Sequence, residues 1–172
     1  MTRECKQQFT LRITQANKTE LIVILYEMLL IYLDEAEEAL AGAVAAKAEA
    51  EETLYKEKIA EFREALRKAR GCIGELLASL NLDYELAVRL LSLYLYCNRE
   101  LTKADIRKEK EPLTHIRGVI EKLLGAYREL AGQDDSGPVM QNSQMVYAGL
   151  TYGKNKLSEN MTDQGANRGF RA

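Results

Sequence analysis

The amino-acid sequence predicts an all-α protein, an antiparallel up-down four-helix bundle with a partly irregular C-terminal tail. Ala, Leu, Glu, Lys and Arg are abundant, and the 172 residues include only two prolines and no tryptophan. This composition favours helices over strands. Apolar residues recur three and four positions apart through much of residues 17–131, which is the period of a buried helix face. The connections between the later helices are short, and short connections favour antiparallel neighbours.

The first predicted helix begins at Asn17 and runs to about Leu40, or further through the alanine-rich residues that follow. Glu20 stands three residues after Asn17, which is the spacing of a capping box. On a helical wheel its charged residues form one narrow polar stripe, made by Glu20, Glu27, Asp34 and Glu38. The rest of its circumference is apolar, which is more than an amphipathic surface helix needs.

The second predicted helix has the most regular apolar seam of the chain. Its members alternate four and three apart, as in a helix-packing seam; they are Tyr55, Ile59, Phe62, Leu66, Ala69, Ile73, Leu76 and Leu80. Gly71 and Gly74 interrupt this helix, and we expect them to let a neighbouring helix approach closely.

The third and fourth predicted helices follow a turn at residues 81–83, where Asp83 is the expected cap. The third helix places a row of apolar residues on one face: Leu86, Leu90, Leu93, Cys97 and Leu101. Pro112 marks the start of the fourth helix, because proline fits the first turn of a helix but not its interior. The apolar face of that helix comprises Leu113, Ile116, Ile120, Leu123, Tyr127 and Leu130.

Three regions are therefore expected along the chain. Residues 1–16 form an N-terminal arm, residues 17–131 form the bundle, and residues 132–172 form a flexible tail. The tail is rich in Gly, Asn, Gln and Ser and has no sustained apolar period, as is typical of segments that cannot build a core.

Composition also limits the function. The formal net charge is -2, whereas a nucleic-acid surface needs a basic patch, so no nucleic-acid partner is predicted. The polar N-terminus does not resemble a signal peptide, and the apolar run at residues 21–33 is too short to insert into a membrane. Three cysteines without CxxC spacing fit reduced thiols, and we expect a cytoplasmic protein.

No catalytic group, metal site or cofactor is predicted. His115 is the only histidine, and a di-iron bundle would require two Glu-x-x-His motifs. Cys72 and Cys97 lie at seam positions, where buried thiols are usual. One alternative function is a histidine-phosphotransfer bundle that uses His115. The basic residue that such a histidine requires stands one position too close, at Arg117, and would be turned about 100° away.

The surplus apolar surface of the first and third helices predicts a groove for an amphipathic partner helix. The candidate binding residues are Ile22, Tyr26, Leu29, Leu30, Leu33, Val88, Leu91, Tyr94 and Leu95. A charged residue at Leu29 or Tyr94 is expected to weaken partner binding without unfolding the bundle. Apolar residues elsewhere in the chain could cover this surface when the partner is absent: Phe9, Ile13, Met145, Tyr147 and Leu150. A homodimer through the same surface is a further expectation for the free protein.

The order of these motifs resembles that of a known family. The stretch "ITQANKTELIVILYEMLLIYLDEAEEAL" at residues 13–40 resembles the opening helix of the flagellin-specific export chaperones of the FliS family. The family patterns "KAQxIIxEL", "SLD" and "LYxYxxRxLxxAN" have counterparts at residues 68–76, 79–81 and 93–105. The family's Asp-Gly-Ala after a Leu-Tyr pair is replaced here by bulkier residues at positions 27–29, and its N-terminal tyrosine has no match, although Phe9 lies nearby.

This resemblance implies a cytoplasmic four-helix bundle that is a binding protein rather than an enzyme and that needs no cofactor. Family members bind the C-terminal segment of flagellin, which is disordered when free and forms helices when bound. The implied role is to prevent premature polymerisation and to deliver flagellin to the flagellar type III export gate.

Overall fold

The computed structural model describes residues 2–140, which form five α-helices and no strand. The helices are α1 (Arg3–Gln15), α2 (Lys18–Ala48), α3 (Glu52–Ala78), α4 (Glu85–Arg107) and α5 (Glu111–Ala131). The predicted all-α class is confirmed. Four helices were expected, and the additional one is α1, which occupies most of the region expected to be an arm.

The N-terminus of α2 has the capping box that the sequence predicts. The backbone N–H of Glu20 donates to Asn17 Oδ1 at 2.8 Å, and the backbone N–H of Asn17 donates to Glu20 Oε2 at 2.9 Å. Two amides of the first turn, which have no partner within the helix, are thus satisfied. The helix then continues through the alanine-rich residues to Ala48.

Four of the helices pack in a closed ring around one core. α2 packs against α3 and α5, and α4 packs against the same two helices. The largest fully buried side chains come from all four of these helices: Tyr26, Leu29, Leu33, Phe62, Leu66, Ile73, Leu76, Tyr94, Leu101, Leu113, Ile116 and Ile120. This cluster is the main core of residues 2–140.

Among the five described helices, α1 packs only against α2, and it forms a second, smaller core with it. Phe9 and Ala16 are buried there against Ile24, and Ile13 and Met28 pack around them. This contact covers apolar surface of α2 that α3 and α5 do not reach. The apolar circumference of α2 is therefore largely explained by three neighbouring helices.

Two carboxylates of the polar stripe of α2, Glu27 and Asp34, pair with basic residues of other helices. The Glu27 carboxylate accepts hydrogen bonds from Arg12 at 2.5 Å and from Arg128 at 2.9 Å, and these two arginines lie on α1 and α5. Asp34 accepts a hydrogen bond from Arg117 of α5 at 2.6 Å. The stripe thus helps to fix two neighbouring helices on α2.

The predicted start and face of the third bundle helix are wrong in detail. The residue at the N-cap of α4 is Tyr84 rather than Asp83, and its side chain makes no capping hydrogen bond. Leu86 and Leu93 are 64% and 36% exposed. Leu90, Cys97 and Leu101 are buried as predicted, and Ala87 and Tyr94 are buried in place of Leu86 and Leu93. The buried row also includes Glu100 and Ala104.

Two further expectations concern glycine and proline. Within residues 2–140, and apart from its own helix backbone, a Cβ atom at Gly71 or Gly74 would meet no atom within 4 Å. None of the described helices approaches closely there, so that expectation is wrong. Pro112 does lie in the first turn of α5, as predicted. Leu130, expected on the apolar face of this helix, is 52% exposed, because it lies in the last turn, beyond the last buried residue, Leu124.

Candidate functional site

A groove of about 540 Å³, which we call the end groove, lies where the first turns of α2 and α4 meet the last turn of α3. The residues between α3 and α4, 79–84, are few, so the end of one helix lies beside the start of the next. The groove is lined by Lys18, Leu21, Ile22, Leu25, Glu75, Ser79, Leu80, Asn81, Tyr84, Leu86, Ala87, Leu90, Tyr94, Tyr127 and Val139. Only Lys18 and Glu75 carry a charge among these residues.

Tyr94 and Tyr127 line the end groove, and both contact Tyr26 of the main core. The hydroxyl groups of Tyr94 and Tyr26 are 2.5 Å apart, and the Tyr127 ring meets the Tyr26 ring edge-on with centroids 5.5 Å apart. Burial raises the pKa of Tyr94 to about 12 and, together with the hydrogen bond to Tyr94, raises the pKa of Tyr26 well above its ordinary value. The hydroxyls therefore stay neutral and satisfy each other inside an apolar environment.

The rim of the end groove is apolar and open to solvent. Tyr84 and Leu86 are 66% and 64% exposed although both line the groove. An exposed apolar rim around a buried apolar floor is suited to the apolar face of a partner helix. The end groove therefore offers mainly apolar surface for contact.

A second groove, of about 520 Å³, lies between α4 and α5 and includes His115. It is lined by Leu93, Tyr96, Thr114, His115, Gly118, Val119, Lys122 and Leu123. We call it the α4–α5 groove.

The surroundings of His115 give no support to the phosphotransfer alternative. The His115 side chain is 50% exposed, and its Nδ1 lies 3.8 Å from Oε2 of the buried Glu100. Arg117, the nearby basic residue, instead pairs with Asp34 and Glu37 of α2. Arg117 therefore does not place its basic side chain beside His115, where a phosphoryl group on the histidine would need one.

A third apolar surface runs along the outside of α4. Val88, Leu95 and Ile106 are 49%, 53% and 77% exposed. They are separated by seven and eleven residues, close to two and three helical turns, so they lie on the same side of the helix. We call these three residues the α4 stripe.

The nine predicted binding residues fall into different environments. Tyr26, Leu29 and Leu33 are fully buried in the main core, and Tyr94 is 1% exposed at the floor of the end groove. This burial argues against the expectation that a charge at Leu29 or Tyr94 leaves the bundle folded, because an unpaired charge is costly in a dry environment. Ile22 lines the end groove, Val88 and Leu95 belong to the α4 stripe, and Leu30 and Leu91 are half-buried.

Most residues that line the end groove are absent from the predicted set, notably Leu21, Leu25, Leu80, Leu86 and Leu90. They come from the ends of three helices, and a helical wheel drawn for each helix alone does not bring them together. One signal was present in the sequence. Leu82, Tyr84 and Leu86 are apolar residues in and directly after a turn, where polar residues are usual.

The predicted self-covering residues are only partly within the described chain. Phe9 and Ile13 pack against α2 in the smaller core and do not line the end groove. Met145, Tyr147 and Leu150 lie outside the described residues, and their part in covering the surface stays a prediction.

The cysteines and carboxylates of residues 2–140 offer little support for catalysis or metal binding. Cys72 and Cys97 are buried, and burial raises the pKa of each thiol to about 11, so neither is a ready thiolate near neutral pH. Within residues 2–140, no three His, Cys, Asp or Glu side chains gather as a metal site would require. None of the five described helices combines the length and hydropathy of a membrane span.

These features define a class of protein, a helical binding protein whose surface offers apolar grooves at helix boundaries. Comparison with protein families gives a more specific result. Residues 1–134 match the family model of the flagellar protein FliS, and the chain belongs to this family of flagellar export chaperones. A search of curated proteins finds no match to the chain.

Proposed function

We propose that this protein is a cytoplasmic export chaperone that binds the disordered C-terminal segment of flagellin. Binding would keep flagellin from polymerising prematurely and would aid its delivery to the flagellar type III export apparatus, including contact with the export gate. The family supports the general role. The observation that carries the specific proposal is the end groove, an apolar site with an exposed rim in a member of a flagellar export family.

The proposed architecture is an antiparallel up-down bundle of α2 to α5, with α1 added on the outside of α2. The closed ring of contacts among these four helices supports it. So do the short connections at residues 49–51, 79–84 and 108–110, which leave little chain for a crossover.

The proposed flagellin surface combines the end groove with the α4 stripe. Both lie along α4, so a segment that forms helices on binding could contact them in succession. The client would bury exposed apolar side chains such as Leu86 and Leu95, which is favourable by roughly 25 cal/mol per Å² of apolar surface. In the free protein the same surface is proposed to allow a homodimer.

Titration with a synthetic peptide of the flagellin C-terminal segment tests the proposal. We expect one-to-one binding, a gain in helicity by circular dichroism and a negative heat-capacity change from apolar burial. Leu86→Asp and Leu95→Asp should each weaken binding about tenfold or more, because a desolvated charge is costly at an apolar interface. Ala60→Asp, at an exposed position of α3, introduces the same charge elsewhere and should leave binding unchanged.

The proposal is rejected if the peptide does not bind the full chain at micromolar concentrations. Equal weakening by all three substitutions would instead place the binding surface elsewhere, since it would reflect net charge rather than a local contact.

A further inference from the structure

The residues after α5 turn back to the start of α2 and are held there by specific hydrogen bonds. The side-chain amide of Asn17 donates to the backbone carbonyl of Asp134 at 3.0 Å, and the Thr19 hydroxyl donates to the Asp134 carboxylate. Five residues further on, the backbone N–H of Val139 donates to the carbonyl of Ala16 at 3.1 Å. Residues 133–140, which we call the C-terminal latch, are thus attached at both ends to the junction of α1 and α2.

The first attachment is built on groups that are themselves well fixed. Asn17 is 4% exposed, and its Oδ1 caps α2 while its Nδ2 binds the latch. The Asp134 carboxylate also accepts the backbone N–H of Ser136 at 3.0 Å, which orders the turn that follows. A carboxylate is favoured at this place, because the N-terminus of a helix carries partial positive charge.

The second attachment places Val139 at the end groove. Val139 lines the groove together with Lys18 and Leu21 of the first turn of α2, and it is 47% exposed. About half of its side chain is therefore packed against the protein. A helix that fills the groove up to the first turn of α2 would have to contact or displace this side chain.

We propose that the C-terminal latch occupies one end of the end groove in the client-free protein and competes there with flagellin. This inference rests on the proposed function, because it names flagellin as the competitor. The attachments of the latch use backbone groups and the side chains of Asn17, Thr19 and Asp134. The apparent affinity for the client is lowered by the fraction of molecules in which the latch is in place.

Three forms of the protein test the competition: the full chain, a chain that ends at Met140 and a chain that ends at Gly132. The probe is a peptide of the flagellin C-terminal segment, and the dissociation constant is measured by calorimetry. The chain that ends at Met140 keeps the latch and should bind as the full chain does. The chain that ends at Gly132 lacks the latch and should bind about tenfold more tightly, as expected for a closed state populated at about 90%.

A point substitution separates the effect of losing the hydrogen bonds of the latch from the effect of shortening the chain. Asp134→Ala in the full chain removes the hydrogen bonds from Thr19 and Ser136 and should give part of the gain in affinity. Asp135→Ala removes the neighbouring exposed carboxylate and should leave the affinity unchanged. Circular dichroism melts of each form verify that α5 remains folded.

Two results would overturn the inference. Binding by the chain that ends at Gly132 that is equal to or weaker than that of the full chain would mean that the latch does not compete. A gain in affinity already present in the chain that ends at Met140 would assign the competition to residues beyond the latch.

A measurement without any client separates this inference from the proposed function. Hydrogen exchange of the Val139 amide should be slowed in the full chain and should become fast in Asp134→Ala. A fast Val139 amide in the unmodified protein rejects the latch whether or not flagellin binds. Slow exchange together with no binding of the peptide by any form leaves the latch in place and rejects flagellin as its competitor, and with it the inference as stated.

Discussion

A comparison of helices α2 and α4 shows that the more apolar helix is not the one that leaves more apolar surface exposed to solvent. α2 is the more apolar of the two, yet α1, α3 and α5 cover most of its circumference. α4 is less apolar and packs only against α3 and α5, and it leaves Val88, Leu95 and Ile106 exposed. The number of neighbouring helices, rather than the apolar fraction of a helix, therefore decides which surface remains for a partner.

The largest expected effect comes from placing the same charge on each helix. Leu29→Asp in α2 should lower the free energy of unfolding by roughly 4 kcal/mol or more, because an unpaired carboxylate would lie in a dry core. Leu95→Asp in α4 should change it by no more than about 0.5 kcal/mol, since the side chain is exposed. Urea unfolding followed by circular dichroism measures both. A large loss with Leu95→Asp would contradict the contrast, because it would mean that the α4 stripe is covered.

The next effect concerns the cover that α1 provides. Phe9→Ala should destabilise the docking of α1 and lower the free energy of unfolding by at most about 3 kcal/mol. The loss is limited because α1 contacts only α2 and can detach without unfolding the ring of four helices. Hydrogen exchange should increase at the amides of α1 while those of α3 stay protected. Gln8→Ala, at the exposed neighbouring position, is the control, and similar exchange in both variants would show that Phe9 does not hold α1.

A smaller effect should come from the polar stripe of α2. Burial alone would raise the pKa of the Glu27 carboxyl, but hydrogen bonds from Arg12 and Arg128 outweigh it and lower the pKa below the ordinary value. A carboxyl with a lowered pKa stabilises the fold above about pH 4.5, its unfolded value, and this contribution is lost as the pH falls through the folded pKa.

Glu27→Gln should therefore cost about 0.5–1 kcal/mol at neutral pH. The difference from the unmodified protein should shrink in acid, as measured by thermal unfolding at several pH values. Glu38→Gln removes an exposed carboxylate of α2 and should change little. An equal cost for Glu27→Gln in acid and at neutral pH would show that the ion pairs do not contribute.

The smallest effect tests whether a further segment packs against α3, as α1 packs against α2. Gly71→Ala and Gly74→Ala should each stabilise the protein by about 0.5 kcal/mol, because alanine is the better helix former and each new Cβ meets open space. Gly42→Ala should gain less, because its Cβ would lie 3.0 Å from Lys58 Cδ. Thermal melts rank the three variants. Destabilisation at Gly71 or Gly74 would indicate that something packs on that face.

Local sequence signals predicted most of the fold. Three of these signals depend on residues that are close together in the chain, so the sequence alone predicts their effects. They are the capping pair Asn17 and Glu20, the seam through Phe62 and Ile73, and Pro112. Helix α1 was missed because its sequence, RECKQQFTLRITQ, holds few apolar residues and depends on α2 for its burial. Two positions of the α4 face were predicted wrongly, Leu86 and Leu93, because the smaller Ala87 fills the helix contact while the larger Leu86 stays exposed.

The candidate site was harder to predict than the fold. The end groove combines four helices and the residue Val139, so its lining depends on where helix ends meet in three dimensions. The sequence predicts Ile22 and Tyr94 as binding residues because the first and third predicted helices have more apolar residues than a single buried face needs. Tyr26, Leu29 and Leu33 were included for the same reason, but tertiary packing places them in the core. Periodicity identifies apolar faces, and only the packed structure divides them between core and surface.

The hydroxyl pair of Tyr26 and Tyr94 makes the fold sensitive to alkali. The chain has nine tyrosines and no tryptophan, so phenol groups dominate its near-ultraviolet absorption. The raised pKa values of these two tyrosines mean that their contribution to stability is complete below about pH 10 and is lost as the pH rises further, since the unfolded chain ionises them at lower pH than the folded chain does. Tyrosinate absorbance from this pair should therefore appear together with unfolding. A rise in this absorbance with pH would thus report the exposure of the main core to solvent.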